Sequence, residues 1–547
     1  MPERARPRWL ASYAPILGLL LLGLVLRIWG AAEHWRWFDQ QHPSTWAQSK
    51  LELSQDANQY IQQADPNTWA SHLHRLWDSR SYFRPPLASY HFVGLFRAVG
   101  FNRMMAATAQ ALLATLASFL LFLSVRRVFG RAVGLLTMAA MAVHPVLMFY
   151  DVSFEDSTLA FLMQAATLWL VLWAREGKPV RWLLAGTAAG LMLLARPSLA
   201  PVVVGIFVLL LGWARGRRVP AALAYVLAVA YVLAPAIWHP HSISGRFVPV
   251  ADSAGQNLFW GNSPFPDYRW SVQGYWNIRD VDRGSPADLL TQGLKARTGK
   301  TFSDGAYLAG ALSFMKEQPG PALAGFLRKA WRHLSSYEIP RNTSFPELRQ
   351  NVLPWRLPFL PFAVLLVLAL FGVRGLDRRL AWLFLLPWLA ALFSEVVFFN
   401  ASRYRALAVP FLIPFAVRAL LLGYARVKER SWRPVILGAA VVAIAFVAGA
   451  FPVSSAERTR DVAVDRFKDA MLESYADIDG TWQRFSEERF RRFLGEARRL
   501  DPLNLDAFAV EQKYLVTQGQ LYPAFAMTSF RETQCRPGEW LCRDVCA

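Results

Sequence analysis

Residues 104–150 read MMAATAQALLATLASFLLFLSVRRVFGRAVGLLTMAAMAVHPVLMFY. A membrane-spanning helix needs about 20 mostly apolar residues, and this stretch supplies two such runs, 104–125 and 132–150, divided by Arg126, Arg127 and Arg131. Basic residues in a short loop between spans mark the cytoplasmic side. The next turn, 151–156, carries Asp151, Glu155 and Asp156 and no Lys or Arg. The stretch thus predicts a helical membrane fold and an acidic turn on the face opposite the basic loop.

Working outward, apolar runs near spanning length recur at 11–29, 157–174, 182–195, 198–214, 221–238, 353–373, 381–399, 406–423 and 435–451. The reading is an all-α polytopic membrane protein of about eleven spans. Arg196 and Pro197 divide the short run 182–195 from 198–214, as one broken hairpin or as two tilted spans. The 547 residues are 54% hydrophobic and only 18% charged, against about 25% charged in soluble chains. Trp (22) and Phe (37) suit membrane interfaces and large apolar cavities. Three Cys, all near the end at 535, 542 and 546, exclude a disulfide scaffold. The net charge of +20 raises nucleic acid as a partner. Its distribution argues for membrane orientation instead. The N-terminal Arg4, Arg6 and Arg8 and the alternate loops around 126–131, 175–181, 215–218, 374–379 and 426–433 hold nineteen Lys and Arg against four acidic residues.

This parity places the N-terminus in the cytoplasm and the C-terminal tail outside, in the periplasm of an inner (plasma) membrane. The first run has the basic lead of a signal peptide, with Gly30-Ala31-Ala32 as a weak cleavage point. Its length, and Arg27 and Trp29 at its interfacial end, favour a retained anchor. Four regions follow: an N-terminal transmembrane catalytic module, 1–238, with an outer loop at 30–103; an outer domain, 239–352; C-terminal transmembrane helices, 353–452; and a helical tail, 453–547. In the first outer loop, 88–99 is too short to span and lies in the interface or re-enters. In the outer domain, 303–316 and 321–336 have helical spacing and are broken at Pro319-Gly320. Within the tail, residues 497–507 look like a tetratricopeptide-repeat junction, a unit that needs about three copies to bury its own face.

Carboxylates beside hydrocarbon are costly and mark function. Asp56, Glu155 and Asp156 fall on the outer face; there a carboxylate in a partly apolar cleft is suited to act as general base on a hydroxyl, while helix N-capping is the competing role. Arg84, Arg196, Arg403 and Arg405 share that face. Guanidinium forks suit a lipid-linked phosphate and its departing charge; snorkelling to headgroups is the alternative. His72 with His74, and His239 with His241, have a spacing that serves a metal in extended structure, but no ligand set is visibly completed. There is no phosphate-cradling glycine loop, serine elbow or H-E-x-x-H motif.

Asp56, Tyr60 and Ala64 in a D-x-x-x-Y-x-x-x-A pattern, Tyr82-Phe-Arg-Pro-Pro-Leu87, Ser153-Phe-Glu-Asp-Ser157, Leu194-Ala-Arg-Pro197, Asn257-Leu-Phe-Trp-Gly-Asn262, Arg403-Tyr-Arg405 and the 318–340 stretch occur in that order. The set, over most of residues 10–425, resembles GT-C integral membrane glycosyltransferases, in particular the branch of protein O-mannosyltransferases and aminoarabinose transferases. The resemblance implies transfer of a sugar from a polyprenyl-phosphate donor to an acceptor glycan, lipid or protein on the outer face, with inversion. It makes Asp56 the base or acceptor-orienting carboxylate, assisted by Glu155 or Asp156, with a divalent metal ion as an optional cofactor. Arg84, Arg196, Arg403 and Arg405 then hold the donor phosphate, and Tyr60, Tyr82, Asn262 and Tyr404 contact substrate. Many relatives carry a second acidic residue directly after the first-loop Asp; here it is Ala57, which shifts weight to Glu155 and Asp156. The competing readings are an O-antigen ligase or polymerase-like transferase and a lipid or solute transporter. A transporter places its polar sites near the midplane, often in repeated halves. Here the acidic motifs lie at helix ends.

Overall fold

The computed structural model describes residues 8–41, 85–100, 102–213, 218–245, 247–251, 253–262, 304–341, 344–459, 461–463, 466 and 487–501. The secondary structure of the described residues is helical. In chain order the helices are α1 (Arg8–Gln41), α2 (Pro86–Val99), α3 (Arg103–Phe129), α4 (Arg131–Ala142), α5 (Pro145–Val152), α6 (Ser157–Ala174) and α7 (Arg181–Ala195). A 3₁₀ turn, Pro197–Leu199, then leads into α8 (Ala200–Trp213) and α9 (Arg218–Ser244). Next come α10 (Ala254–Gly261), α11 (Asp304–Glu317), α12 (Pro319–His333), α13 (Phe345–Leu348), α14 (Phe362–Gly372) and α15 (Arg378–Val397). The last are α16 (Ser402–Ala406), α17 (Val409–Lys428), α18 (Trp432–Ala448) and α19 (Glu487–Leu500).

Among the described residues, six helices are long and apolar enough to cross a bilayer: α1, α3, α6, α9, α15 and α17. The run 132–150 forms the pair α4–α5, bent by 66° where His144-Pro145 interrupts it, because proline removes a backbone donor and clashes with the preceding turn. The four remaining runs give the shorter helices α7, α8, α14 and α18. The chain is a multi-pass membrane protein in which, among the described residues, six helices, or seven with the bent pair, have spanning length and composition.

Packing among these helices relies on small residues, since lipid tails offer little hydrophobic drive between apolar helices. Helix α7 carries Gly186 and Gly190 one turn apart. A Cβ on Gly186 would lie 2.4 Å from the Tyr225 carbonyl oxygen of α9, and one on Gly190 would lie 2.8 Å from Val232 Cβ. Ala185 and Ala189 beside them are fully buried. The main core joins α3, α6, α7, α8, α14, α15 and α17. A second core gathers Trp35 and Phe38 of α1, Phe92 and Phe96 of α2, and Phe154, Phe345 and Trp355. Trp35 of α1 and Phe92 and Phe96 of α2 meet through the Phe154 ring between them. Arg27, expected at an interface, is instead buried and paired with Asp151 at 2.6 Å, because unpaired charge inside an apolar bundle is costly.

Helix α12 departs from the simple amphipathic expectation. Leu323, Leu327 and Trp331 point outward, at 60%, 63% and 46% exposure, whereas Lys329, Arg332 and His333 are buried. The polar face is the one that meets the rest of the protein. At the tail, Phe490, Phe493, Leu494 and Ala497 of α19 are buried, and Arg466 bridges Glu347 of α13 (2.6 Å) and Glu496 of α19 (3.2 Å). The expected repeat junction beyond Asp501, and Cys535, Cys542 and Cys546, lie outside the described residues.

Candidate active site

The acidic turn between α5 and α6 is held from below. Phe154 is fully buried, stacked 5.9 Å from Trp35 and edge-on to Phe96 at 5.8 Å. The Ser153 hydroxyl donates to the Phe149 carbonyl (2.8 Å) and the Thr158 hydroxyl to the Asp151 carbonyl (3.1 Å). This anchoring leaves little freedom to the two carboxylates between them. Asp156 occupies the N-cap position of α6 but makes no side-chain capping bond. Its carboxylate accepts from Arg196 Nη1 at 3.0 Å.

Arg196 is positioned by the break between α7 and the 3₁₀ turn, where the backbone is extended (φ −155°, ψ 99°). Proline at 197 disfavours helix at the residue before it, so the guanidinium leaves the helix end and reaches α6. It also donates to the Ser157 hydroxyl at 3.3 Å, and its carbon lies 5.0 Å from the Tyr404 ring centre. Arg403 approaches the same ring at 5.5 Å. Glu155 is buried, and Glu155, Glu338, Arg403 and Arg405 all lie within electrostatic reach of Tyr150. The structure therefore brings together Glu155, Asp156, Arg196, Arg403 and Tyr404 from three separate motifs.

Two expected ligand contacts have internal roles. Arg405 is buried, and its guanidinium donates to the carbonyls of His333 (3.2 Å), Ser335 (2.5 Å) and Tyr337 (2.9 Å), to Glu338 Oε2 (3.4 Å) and to the Ser402 hydroxyl (3.0 Å). These partners use the fork that was expected to hold phosphate, and α16 is thereby clamped to the end of α12. Asn262, expected to contact substrate, donates to the Leu258 carbonyl (2.9 Å) and the Val397 carbonyl (2.7 Å) and accepts from Lys329 Nζ (2.8 Å). Glycine at 261 permits this approach; a Cβ there would lie 1.5 Å from the Phe398 carbonyl oxygen. Asp56, Tyr60, Tyr82 and Arg84, with His72 and His74, lie outside the described residues. Among the described residues, no three His, Cys, Asp or Glu assemble into a set that would hold a metal ion.

Lys329 belongs to a buried polar knot that sequence reasoning missed. Its ammonium donates to the Gly261 carbonyl (3.1 Å), Asn262 Oδ1 and the Phe398 carbonyl (3.1 Å). Burial lowers its pKa to about 7. Asn400 Nδ2 donates to the Lys329 carbonyl and to Glu395 Oε2, both at 3.0 Å. Glu395 Oε2 is 3.0 Å from His333 Nδ1, and Trp388 Nε1 donates to His333 Nε2 at 3.1 Å. The latter bond makes Nε2 an acceptor and leaves Nδ1 as the donor to Glu395. Glu395 is the one charged residue of the run 381–399, and a lone carboxylate within an apolar run was the available signal.

The segment that carries the acidic turn and Arg196 has a recognisable family. Residues 83–239 match the family model described as dolichyl-phosphate-mannose-protein mannosyltransferase. This match to one segment agrees with the resemblance drawn from the order of the chain's motifs. Among solved structures it is similar to ArnT from Cupriavidus metallidurans bound to undecaprenyl phosphate, at 14% identity and a TM-score of 0.42, over 96% of this chain and 82% of that one. It is also similar to the oligosaccharyltransferase of Archaeoglobus fulgidus in its apo form, at 15% identity and a TM-score of 0.45, over 91% of this chain and 61% of that one. No curated protein matches the chain.

Proposed function

We propose that the chain transfers a sugar from a polyprenyl-phosphate donor to an acceptor hydroxyl at the outer face of the inner membrane, with inversion at the anomeric carbon. The observation that carries this reading is Arg196, paired with Asp156 and set against the Tyr404 ring that Arg403 also approaches. Cations gathered beside an acidic turn suit a reaction in which a phosphate departs with negative charge and needs no proton. The family description of residues 83–239, with its dolichyl-phosphate-linked sugar, supports a donor of the same chemical class. The basic loops support an N-terminus in the cytoplasm, with the acidic turn and the tail on the periplasmic side.

In this reading the acceptor oxygen attacks the anomeric carbon while the carbon–oxygen bond to phosphate breaks. The phosphate leaves with the bonding electron pair, and the acceptor proton passes to a carboxylate. Asp56 takes that proton or orients the acceptor, and Glu155 or Asp156 assists. Arg84, Arg196 and Arg403 hold the phosphate; Arg405 keeps α16, and with it Arg403 and Tyr404, in place. Tyr60 and Tyr82 are proposed to contact substrate from the first outer loop. Attack, departure and proton transfer occur at one protein surface, so the lipid tail of the donor never has to leave the bilayer.

The test is purified protein in lipid nanodiscs with a panel of polyprenyl-phosphate sugars, scored by release of polyprenyl phosphate. Wild type is expected to turn over at least one donor, and Asp56→Asn to lose most of that turnover. A well-folded Asp56→Asn protein with full activity would remove the base assignment. Inactivity of wild type on every donor would remove the reading itself.

A further inference from the structure

A cavity of about 530 Å3 lies beside this site, walled by Tyr337, Glu338, Phe345, Gln350, Arg356 and Phe359 among others. Its volume falls within the range of small-molecule sites, roughly 300–1,000 Å3. Phe345 and Phe359 meet edge to face at 6.2 Å. Polar groups of three kinds, a carboxylate, an amide and a guanidinium, stand around these rings. At one end of the cavity, Glu338 is held by Arg405 and shares the electrostatic surroundings of Tyr150 with Glu155 and Arg403. At the other, Arg356 also lines a second cavity of about 260 Å3, whose further walls include Arg36, Trp37 and Gln40 from the extension of α1.

The lining has a specific chemical match. A pyranose ring has apolar C–H faces and a rim of hydroxyls. Aromatic rings cover the former, and carboxylate, amide and guanidinium groups bond the latter with defined geometry. An isolated phosphate would meet aromatic rings and a carboxylate here.

We propose that this cavity is a saccharide-binding site that seats the sugar unit of the acceptor, with the smaller cavity beyond Arg356 receiving the next unit. The assignment of this sugar as acceptor rests on the glycosyl-transfer reading above; the saccharide site itself does not. A hydroxyl of a sugar seated here lies at the Glu338 end, towards Glu155 and Arg403. Acceptor choice then belongs to the 337–359 segment as well as to the first outer loop.

The experiment is saturation-transfer difference NMR on the full chain in lipid nanodiscs, with methyl glycosides of glucose, mannose and galactose and with maltotriose as probes. Wild type is expected to transfer saturation to the ring C–H protons of at least one probe. Gln350→Ala and Phe359→Leu, each with an unchanged melting temperature, should weaken that binding about tenfold, the equivalent of one good contact. Absence of binding by every probe, or binding that neither variant alters, would overturn the proposal. Saccharide binding in a protein that turns over no polyprenyl-phosphate donor would keep the sugar site and overturn the transfer reading alone.

Discussion

Two buried polar clusters lie at the same end of the helix bundle, and they are built on opposite principles. In the knot of Lys329, Asn262, Asn400, Glu395 and His333, one ammonium meets three oxygen acceptors and one imidazole has a partner on each nitrogen. Around the acidic turn, Asp156 makes one ion pair with Arg196, and its side chain is 17% exposed against 4% for its partner. In the knot Lys329 and His333 are fully partnered, which rigidifies a fold, while Glu395 Oε1 and Asn400 Oδ1 make no hydrogen bond among the described residues. A carboxylate and a guanidinium held together at an accessible edge remain open to exchange with a substrate. The knot holds α10, α12 and α15 together; the turn is the proposed reacting site.

The sharpest way to break this comparison is to open the knot. Glu395→Leu leaves His333 and Asn400 without their shared acceptor, and each buried donor left unsatisfied costs about 1–3 kcal/mol. Thermal unfolding in nanodiscs should show a large fall in melting temperature. A protein that keeps its stability but loses donor turnover would move Glu395 into the reacting site.

At the acidic turn the expected effect is kinetic. Asp156→Asn retains the shape and one acceptor for Arg196, and Arg196→Gln removes the charge. Each is expected to lower turnover about 10²-fold, the order seen when one group stabilising developing charge is removed. Melting temperatures should change little for Asp156→Asn. Large destabilisation with normal activity per folded molecule would make this ion pair a structural one, like the knot.

Lys329 allows a subtler test with pH. Its pKa is lowered by burial from 10.5 to about 7, so between these values the unfolded chain binds a proton that the folded chain does not. Stability therefore rises with pH through that window and is lost again as pH falls towards 7. The slope should vanish in Lys329→Met. An identical slope in that variant would assign the titration elsewhere.

The smallest effect concerns the tail. Arg466→Ala removes a partly exposed bridge between α13 and α19, for which about 0–1 kcal/mol is expected. The measurement is limited proteolysis of the tail beside the melting temperature. Faster cleavage near α19 with an unchanged membrane core would place the tail as a docked appendage.

Much of the fold was legible in the chain because its cause is local. Each apolar run must satisfy its own backbone in lipid, and only a helix does so within one segment. The bend at His144-Pro145 and the break at Arg196-Pro197 are likewise local consequences of proline. The site was legible in part. Glu155, Asp156, Arg196, Arg403 and Tyr404 were identifiable as charged or aromatic residues at the ends of apolar runs, and the structure gathers them. Arg405 shows where such reasoning fails. Two residues from Arg403 and of the same type, it is turned inward to carbonyls at the end of α12, and nothing in its neighbours' sequence announces those partners.

By itself, then, the amino-acid sequence determined a multi-pass helical membrane protein, the alternation of its basic loops, and the short list of charges near its helix ends. These follow from hydropathy and charge, which act over a few turns of one helix. Only the tertiary structure decided which charges are spent on the fold and which face a cavity. His333 and Glu395 are 62 residues apart in sequence, and Arg196 and Tyr404 are farther still. Partners at such separations are chosen by how helices pack, where every buried donor must find an acceptor.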